Sequence, residues 1–247
     1  MSARFLTNLI ALLLAGFSLS LGAQPLLVAA AADLAPLETA LTRGYAASGG
    51  GEIRFVFGSS GMLARQIENG APYDLFLCAN EKIVQDLAAA KRLMPDSVAS
   101  YATGRLGLWG SRETPARLAG LTDAKLRLIA IANPDHAPYG AAARALLEHA
   151  GLWTQLQPKI LLGENVRQAY EYARTGNADA VITSWTLLKA ESGARLLPET
   201  GYPPIRQSGG IVRGTQREQQ ARGFLTFLLG PAGQAILAAG GLFPPAR

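Results

Sequence analysis

RFVFGSSGMLARQIENG, residues Arg54 to Gly70, places a strand-like apolar run, a Gly-Ser-Ser-Gly turn and a helix-like run one after another. Gly70 suits the end of that helix, because glycine readily adopts the left-handed conformation found just past helix C termini. Two adjacent hydroxyls, those of Ser59 and Ser60, therefore stand at the start of a predicted helix. Such a start carries unpaired N–H groups and a partial positive charge. A helix cap, an anion site, a phosphate cradle and a nucleophile are all compatible with this pattern.

The same alternation of strand-like and helix-like segments continues on both sides of this stretch. Leu26–Ala31 predicts a buried strand and Leu34–Ala47 a helix, and later strand-like runs are DLFLCA, RLGLWG, LRLIAIA and DAVITS. Continuous apolar strands between helices predict an α/β protein with mostly parallel sheets covered on both faces. Ligands of such sheets bind beyond the carboxyl ends of the strands. The turns of interest are therefore AADLAPL, FGSSGML, NPDHAPYG and GENVRQA.

Composition bounds the class of protein. The chain has 247 residues, of which 49% are apolar and 17% charged, so it can form one large domain or two modest ones. Its formal net charge is +5, but the basic residues are scattered and form no stripe. Nucleic-acid binding is therefore not expected.

The first residues predict an export signal. Arg4 supplies a positive start, Leu6–Phe17 is largely apolar, and small residues then allow cleavage after Ala23 or Gly22. We expect residues 1–23 to be a signal peptide and the mature protein to be periplasmic and soluble. An uncleaved anchor is the alternative. No cysteine follows the leader, so lipid attachment at a new N terminus is not expected.

The residue types argue against a metal site and against enzyme activity. Cys78 is the only cysteine, in an apolar run that predicts a buried, inert thiol, and His136 and His149 are the only histidines. Zinc binding, a Ser-His-Asp set and nucleotide binding therefore lack the required residues or motifs. We expect no catalysis and no cofactor, and a secreted serine hydrolase that uses Ser60 is the alternative.

Four segments together resemble the periplasmic molybdate-binding proteins of ABC importers, which are type II solute-binding proteins. These segments are AAADL, FGSSGMLARQIENGAPYDLFLCAN, NPDHAPYG and ENVRQA, and the closing segment FLLGPAGQAILAAGGLFPP is typical of the wider superfamily. The resemblance implies a monomer that binds molybdate and tungstate without chemistry and delivers them to a permease in the inner membrane. A phosphate-binding protein and the effector domain of a transcription regulator are the alternatives from the same fold.

The resemblance also implies two α/β lobes with a ligand cleft between them. We expect residues 24–103 and 204–247 to form the first lobe and residues 104–203 the second. The chain would cross near Tyr101–Arg105 and return near Thr200–Arg206.

Site residues follow from the resemblance position by position. Ser60 corresponds to a hydroxyl and backbone donor, with Ser59 beside it, and Val166 corresponds to a backbone N–H donor at a helix start. Tyr139 and Thr183 are alternative sources of a hydroxyl from the second lobe. No metal ion is expected as such, since molybdenum or tungsten would enter only as the oxyanion held through Ser60, Tyr139 and Val166.

Asp33 departs from the family pattern, in which many members have serine at this position. Molybdate is a dianion at neutral pH, so an ionised carboxylate beside it repels it and cannot donate a hydrogen bond. We expect Asp33 to cap the following helix at the N–H of Ala35, leaving its own N–H or that of Ala32 for the ligand. The alternative is a protonated oxyanion, such as hydrogen phosphate, that donates to the carboxylate.

Overall fold

The computed structural model describes residues 24–245 except Ser111 and Ala116, so the predicted signal peptide lies outside the described residues. In the described part, ten strands alternate with helices. The strands are β1 (Leu26–Ala31), β2 (Ile53–Gly58), β3 (Leu75–Cys78), β4 (Ala99–Gly104), β5 (Leu106–Gly110), β6 (Ile129–Ala132), β7 (Ile160–Gly163), β8 (Ala180–Ser184), β9 (Arg195–Leu196) and β10 (Ile205–Ile211). The α-helices are α1 (Glu38–Ala47), α2 (Ser60–Glu68), α3 (Glu81–Ala89), α4 (Pro138–His149), α5 (Trp153–Leu156), α6 (Val166–Arg174), α7 (Trp185–Leu188), α8 (Glu218–Leu229) and α9 (Pro231–Ala239).

The strands form two five-stranded sheets, ordered β2-β1-β3-β10-β4 and β7-β6-β8-β5-β9. In the first, β1 pairs in parallel with β2 and β3, whereas β10 is antiparallel to β3 and β4. In the second, β6 is parallel to β7 and β8, whereas β5 is antiparallel to β8 and β9. Each sheet is thus mixed, with one reversed strand, and the two-lobe α/β prediction is confirmed.

Each reversed strand is the first strand after the chain passes between the sheets. Only Arg105 separates β4 from β5, and the chain returns between Leu196 and Ile205. We call the elements around the sheet that contains β1 the first lobe, and those around the sheet that contains β5 the second lobe. The two short passages bring the carboxyl ends of β1 and β2 to face the starts of α4 and α6.

The helix predicted over Leu34–Ala47 is wrong at its start. Residues Ala32–Leu37 form a 3-10 helix that contains Pro36, and α1 begins only at Glu38. Proline lacks the N–H that an α-helix interior requires and its ring clashes with the carbonyl four residues before it. The tighter turn brings Asp33 inward, where its side chain is fully buried.

The lobes are closed against each other. The apolar cluster of the second lobe, which includes Tyr139 and Val166, also contains Ala31, Ala32 and Ala79 of the first lobe. Burial of this shared apolar surface favours closure. Over the described range, the helices fall short of the length and apolarity that a membrane crossing requires.

Candidate binding site between the lobes

A small cavity of about 10 Å³ lies where the two lobes meet. It is lined by residues that follow strands or begin helices, namely Ala31, Ala32, Asp33, Gly58, Ser59, Ser60, Ala79, Ala137, Pro138, Tyr139, Asn165 and Val166. The structure therefore brings together every candidate from the sequence except Thr183. No lysine or arginine is among these lining residues.

The start of α2 contributes Ser59 and Ser60. Ser60 is the first residue of the helix, and its Oγ accepts a hydrogen bond from the N–H of Ala79 at 3.1 Å. A hydroxyl that accepts one bond still has its own proton to donate. Ser59 precedes the helix but makes no side-chain cap, so these serines are not a simple helix cap.

His136 of the second lobe closes over this helix start. Its Nδ1 lies 2.8 Å from Ser59 Oγ, and its carbonyl oxygen accepts a hydrogen bond from the N–H of Gly61 at 2.9 Å. A hydrolase that uses Ser60 would need a base beside that residue, whereas the histidine contacts Ser59 instead. These two contacts join the second lobe to the start of α2 in the first lobe.

The start of α6 leaves one N–H for the cavity. Asn165 Oδ1 accepts from the N–H groups of Arg167 and Gln168 at 3.0 and 3.1 Å, and the carbonyl of Asn165 accepts from Ala169. Val166 is the residue of this turn whose N–H the cap does not use, and it lines the cavity. A helix start with a free N–H favours anions.

Replacing Asn165 with alanine tests this arrangement. We expect a loss of about 1 kcal/mol in unfolding free energy, because two N–H groups lose their cap, together with weaker ligand binding, because Val166 is no longer held. Asn80→Ala is the matched control, since Asn80 caps α3 at the N–H of Lys82. Urea unfolding and titration calorimetry should show similar destabilisation in both variants and weaker binding in N165A alone. Equal binding by the two would contradict the role of this turn.

Thr183 has another partner. Its hydroxyl donates to the carbonyl oxygen of Val166 at 3.0 Å, and it is not among the residues that line the cavity. It supports the turn at the start of α6 from behind. The structure therefore places Tyr139, and not Thr183, at the cavity wall.

Asp33 is the centre of a buried hydrogen-bond network that joins the lobes. Its Oδ2 accepts from the Tyr139 hydroxyl at 2.9 Å and from Gln207 Nε2 at 2.5 Å. Gln207 Nε2 also donates to the Tyr139 oxygen at 3.0 Å, and Tyr101 donates to Gln207 Oε1 at 2.9 Å. The predicted capping role of Asp33 is wrong: the 3-10 helix follows Ala31 and has no side-chain cap, because the carboxylate turns to the other lobe.

One oxygen of this carboxylate has no partner. Asp33 Oδ1 is buried and makes no hydrogen bond to any described residue, whereas the backbone carbonyl of Asp33 accepts from Thr186 Oγ1 at 2.6 Å. Burial raises the pKa of Asp33 from 3.8 to about 7, and this outweighs the opposite effect of the bonds from Tyr139 and Gln207. The carboxyl group can therefore be neutral near physiological pH.

Tyr139 fits because Gly104, the last residue of β4, carries no side chain. A Cβ on Gly104 would lie 2.0 Å from the Tyr139 hydroxyl oxygen. Burial raises the pKa of Tyr139 well above its usual value, so its hydroxyl keeps its proton. Tyr139 lines the cavity, and its hydroxyl donates to Asp33 Oδ2.

The sequence reasoning missed Gln207, Thr186 and the contacts of His136 with the start of α2. Gln207 lies on β10, in IRQSGGI, where its polar side chain is fully buried in the middle of the first sheet. A glutamine between Arg206 and Ser208 gives no sequence signal of burial, and its partners lie on distant parts of the chain. Thr186 lies on α7, a helix of only four residues, and its side chain is buried.

The remaining reactive residues do not form another centre. Cys78 is buried, as predicted, and burial raises the pKa of its thiol to about 12. Within the described range, no group of three His, Cys, Asp or Glu side chains could hold a metal ion. The cleft can hold an anion only through N–H and O–H donors.

Two α/β lobes that close on a small cavity are typical of solute-binding proteins. The chain matches the family model described as bacterial extracellular solute-binding protein over residues 26–243, and it belongs to that family.

Within the family, the chain is similar to proteins named for molybdate, which confirms the resemblance seen in its motifs. It is 30% identical over 230 residues to the molybdate-binding protein ModA of Rhodobacter capsulatus, covering 91% of this chain and 90% of that protein. The solved periplasmic molybdate-binding protein of Azotobacter vinelandii superposes with a TM-score of 0.84 at 31% identity, covering 90% of this chain and 100% of that one. The sulfate-binding protein SubI of Mycobacterium tuberculosis shares the fold alone, with a TM-score of 0.75 at 16% identity, covering 90% of this chain and 87% of that one.

Proposed function

We propose that this protein binds molybdate, and also tungstate, in the periplasm and delivers it to an ABC-type permease in the inner membrane. The leader would direct export and would be cleaved near Ala23. The similarity to the molybdate-binding proteins named above supports molybdate as the ligand. The observation that carries anion binding is the convergence of two helix starts, at Ser60 and Val166, from different lobes on one cavity.

Binding proceeds by closure and not by a reaction. The anion accepts hydrogen bonds from Ser60 in the first lobe and from Val166 in the second, so all its donors are present only when the lobes meet. An anion that interacts more strongly with the closed form shifts the population toward that form. The closed form is then the state that a permease recognises.

The size of the donor cage selects among tetrahedral oxyanions. Tungstate is nearly the same size as molybdate and should satisfy the same donors. Sulfate is smaller and should leave at least one donor without a partner, and a hydrogen bond to a charged group contributes about 1.5–3 kcal/mol. We therefore expect sulfate to bind at least about tenfold more weakly, since 1.4 kcal/mol corresponds to a factor of ten.

Titration calorimetry of the ligand-free mature protein tests the proposal. Molybdate and tungstate should bind one-to-one, and sulfate and phosphate should bind weakly. Ser60→Ala should reduce molybdate affinity by at least about tenfold through the lost hydroxyl donor. The control is Ser48→Ala, because Ser48 ends α1 and its hydroxyl donates only to the carbonyl of Tyr45. Equal affinities for sulfate and molybdate would remove size selection, and no binding of any oxyanion would overturn the proposal.

A further inference from the structure

We propose that Asp33 is a ligand-binding residue that carries a proton on Oδ1 and donates a hydrogen bond through it to the bound oxyanion. Binding of each dianion would then be coupled to the uptake of one proton by Asp33. This inference rests on the proposed function, since it concerns how the same cleft accommodates a doubly negative ion. The proton comes from solvent, and no covalent bond forms or breaks apart from that between the proton and Oδ1.

The geometry assigns the proton to a particular oxygen. Asp33 Oδ2 already accepts two hydrogen bonds, from Tyr139 and Gln207, whereas Oδ1 is buried without any partner among the described residues. Asp33 lines the cavity and is fully buried. A buried polar atom that lacks a partner is costly, so a protonated Oδ1 that donates to a ligand would relieve this cost.

The surroundings of Asp33 offer no positive charge that would keep the carboxylate ionised. The titratable groups that face it are Tyr139 on α4, Tyr101 on β4 and Cys78 on β3, and burial raises the pKa of each, so all three stay neutral. The charged groups on the elements packed against the 3-10 helix lie on outer surfaces away from the cavity. They are Glu38 and Arg43 on α1, Arg54 on β2, and Arg167, Glu171 and Arg174 on α6.

Charge balance then favours the neutral form once an anion is bound. An ionised carboxylate would repel a dianion at close range in a cavity that contains no lysine or arginine. A neutral carboxylic acid instead adds a donor to the N–H and O–H groups of Ser60 and Val166. Asp33 therefore acts as a further donor to the anion, but only after it has gained a proton.

The expected pH dependence has a definite sign. In the ligand-free protein, burial raises the pKa of Asp33 to about 7, and a bound dianion would raise it further. Below pH 7 the residue is already protonated, so affinity is independent of pH. Above pH 7 a proton must be taken up, so affinity should fall by about tenfold for each pH unit.

The test is titration calorimetry with molybdate at several pH values between 5.5 and 9, in two buffers of different ionisation enthalpy. Comparison of the two buffers gives the number of protons taken up per anion. We expect nearly one at pH 8.5 and nearly none at pH 5.5. In Asp33→Asn the amide can donate without a proton from solvent, so both the uptake and the pH dependence should disappear.

His136 needs its own control, because histidine can also change charge in this pH range. His136→Asn replaces Nδ1 by an amide that can still reach Ser59, and proton uptake should persist in it. Loss of the uptake in H136N, with retention in D33N, would overturn the inference. So would tighter binding of phosphate than of molybdate, because Asp33 would then accept a proton from the ligand.

Failure of this inference can be distinguished from failure of the proposed function. Tight molybdate binding without proton uptake at pH 8.5 would refute the role of Asp33 as a proton carrier and leave molybdate binding intact. No binding of any oxyanion at any pH would refute the proposed function and this inference together. The proton counts of the wild-type protein and of H136N together decide the matter even if D33N does not fold.

Discussion

Replacing Gly61 with alanine should weaken molybdate binding by about 10- to 100-fold, because it disfavours the closed arrangement of the lobes. In the closed structure, a Cβ at position 61 would lie 2.8 Å from the carbonyl oxygen of His136 and 3.1 Å from its Cα. These are backbone atoms of the other lobe, so they cannot move aside alone. Overpacking of this kind costs about 1–3 kcal/mol, and 1.4 kcal/mol corresponds to tenfold in affinity.

The penalty should fall on closure alone. Gly61 lies in the first turn of α2, and its contact with His136 exists only when the lobes meet. Alanine also favours helix more than glycine does, by about 1 kcal/mol, so the isolated lobe gains rather than loses stability. A substitution that disfavours only the closed form reduces ligand affinity through the population of that form.

Gly51→Ala is the matched control, because no atom lies within 4 Å of a Cβ at that position and its backbone conformation is ordinary. Calorimetry should show unchanged molybdate affinity for G51A and a large loss for G61A. Small-angle X-ray scattering should show that G61A with saturating molybdate remains more extended than the loaded wild-type protein. Full affinity in G61A would mean that the lobes do not meet around the ligand as the structure shows them.

The position of the site was predictable because it depends on local pattern. The bounds predicted for β1, Leu26–Ala31, match the structure, and Gly-Ser-Ser-Gly does join β2 to α2. Strand ends and helix starts are read from short-range periodicity and turn residues. The start of α6 at Val166 was predicted from the family resemblance, and the structure shows Asn165 as its cap.

The contacts that define the chemistry were not predictable from local pattern. Asp33 looked like a cap because aspartate before an apolar run usually is one, yet its partners Tyr139 and Gln207 are 106 and 174 residues away in sequence. Strand β10, which carries Gln207, was not predicted, since its glycines and polar residues lack the alternation of a half-buried strand. Tertiary pairing with β3 and β4 stabilises it instead.

Asp33 should make the ligand-free protein less stable as the pH rises. The pKa is 3.8 for an ordinary aspartate and about 7 for Asp33 in the folded state. Between these values the folded protein binds one more proton than the unfolded chain, so the free energy of unfolding decreases with pH. The stabilisation is fully present below pH 4 and is lost as the pH rises through 7.

The size of this effect follows from the difference in pKa. One pKa unit corresponds to about 1.36 kcal/mol, so Asp33 should contribute a decrease of about 3 kcal/mol between pH 5 and pH 8. Asp33→Asn has no titrating group at this position and should lack the decrease, although the amide that replaces the carboxyl group can still bond Tyr139 and Gln207. The quantity to compare is the wild-type value minus the D33N value at each pH, because all other titrating groups cancel.

Urea unfolding of the ligand-free proteins at pH 5 and pH 8 provides these values, and Asp86→Asn is the control. Asp86 is an exposed aspartate paired with Lys82 on α3, so D86N should keep the pH dependence of the wild-type protein. If the difference between the wild-type protein and D33N does not change with pH, the Asp33 carboxylate is already ionised at pH 5. Its unpartnered Oδ1 would then have no proton to give to an arriving anion, and the cleft would have to accept the dianion against a fixed negative charge.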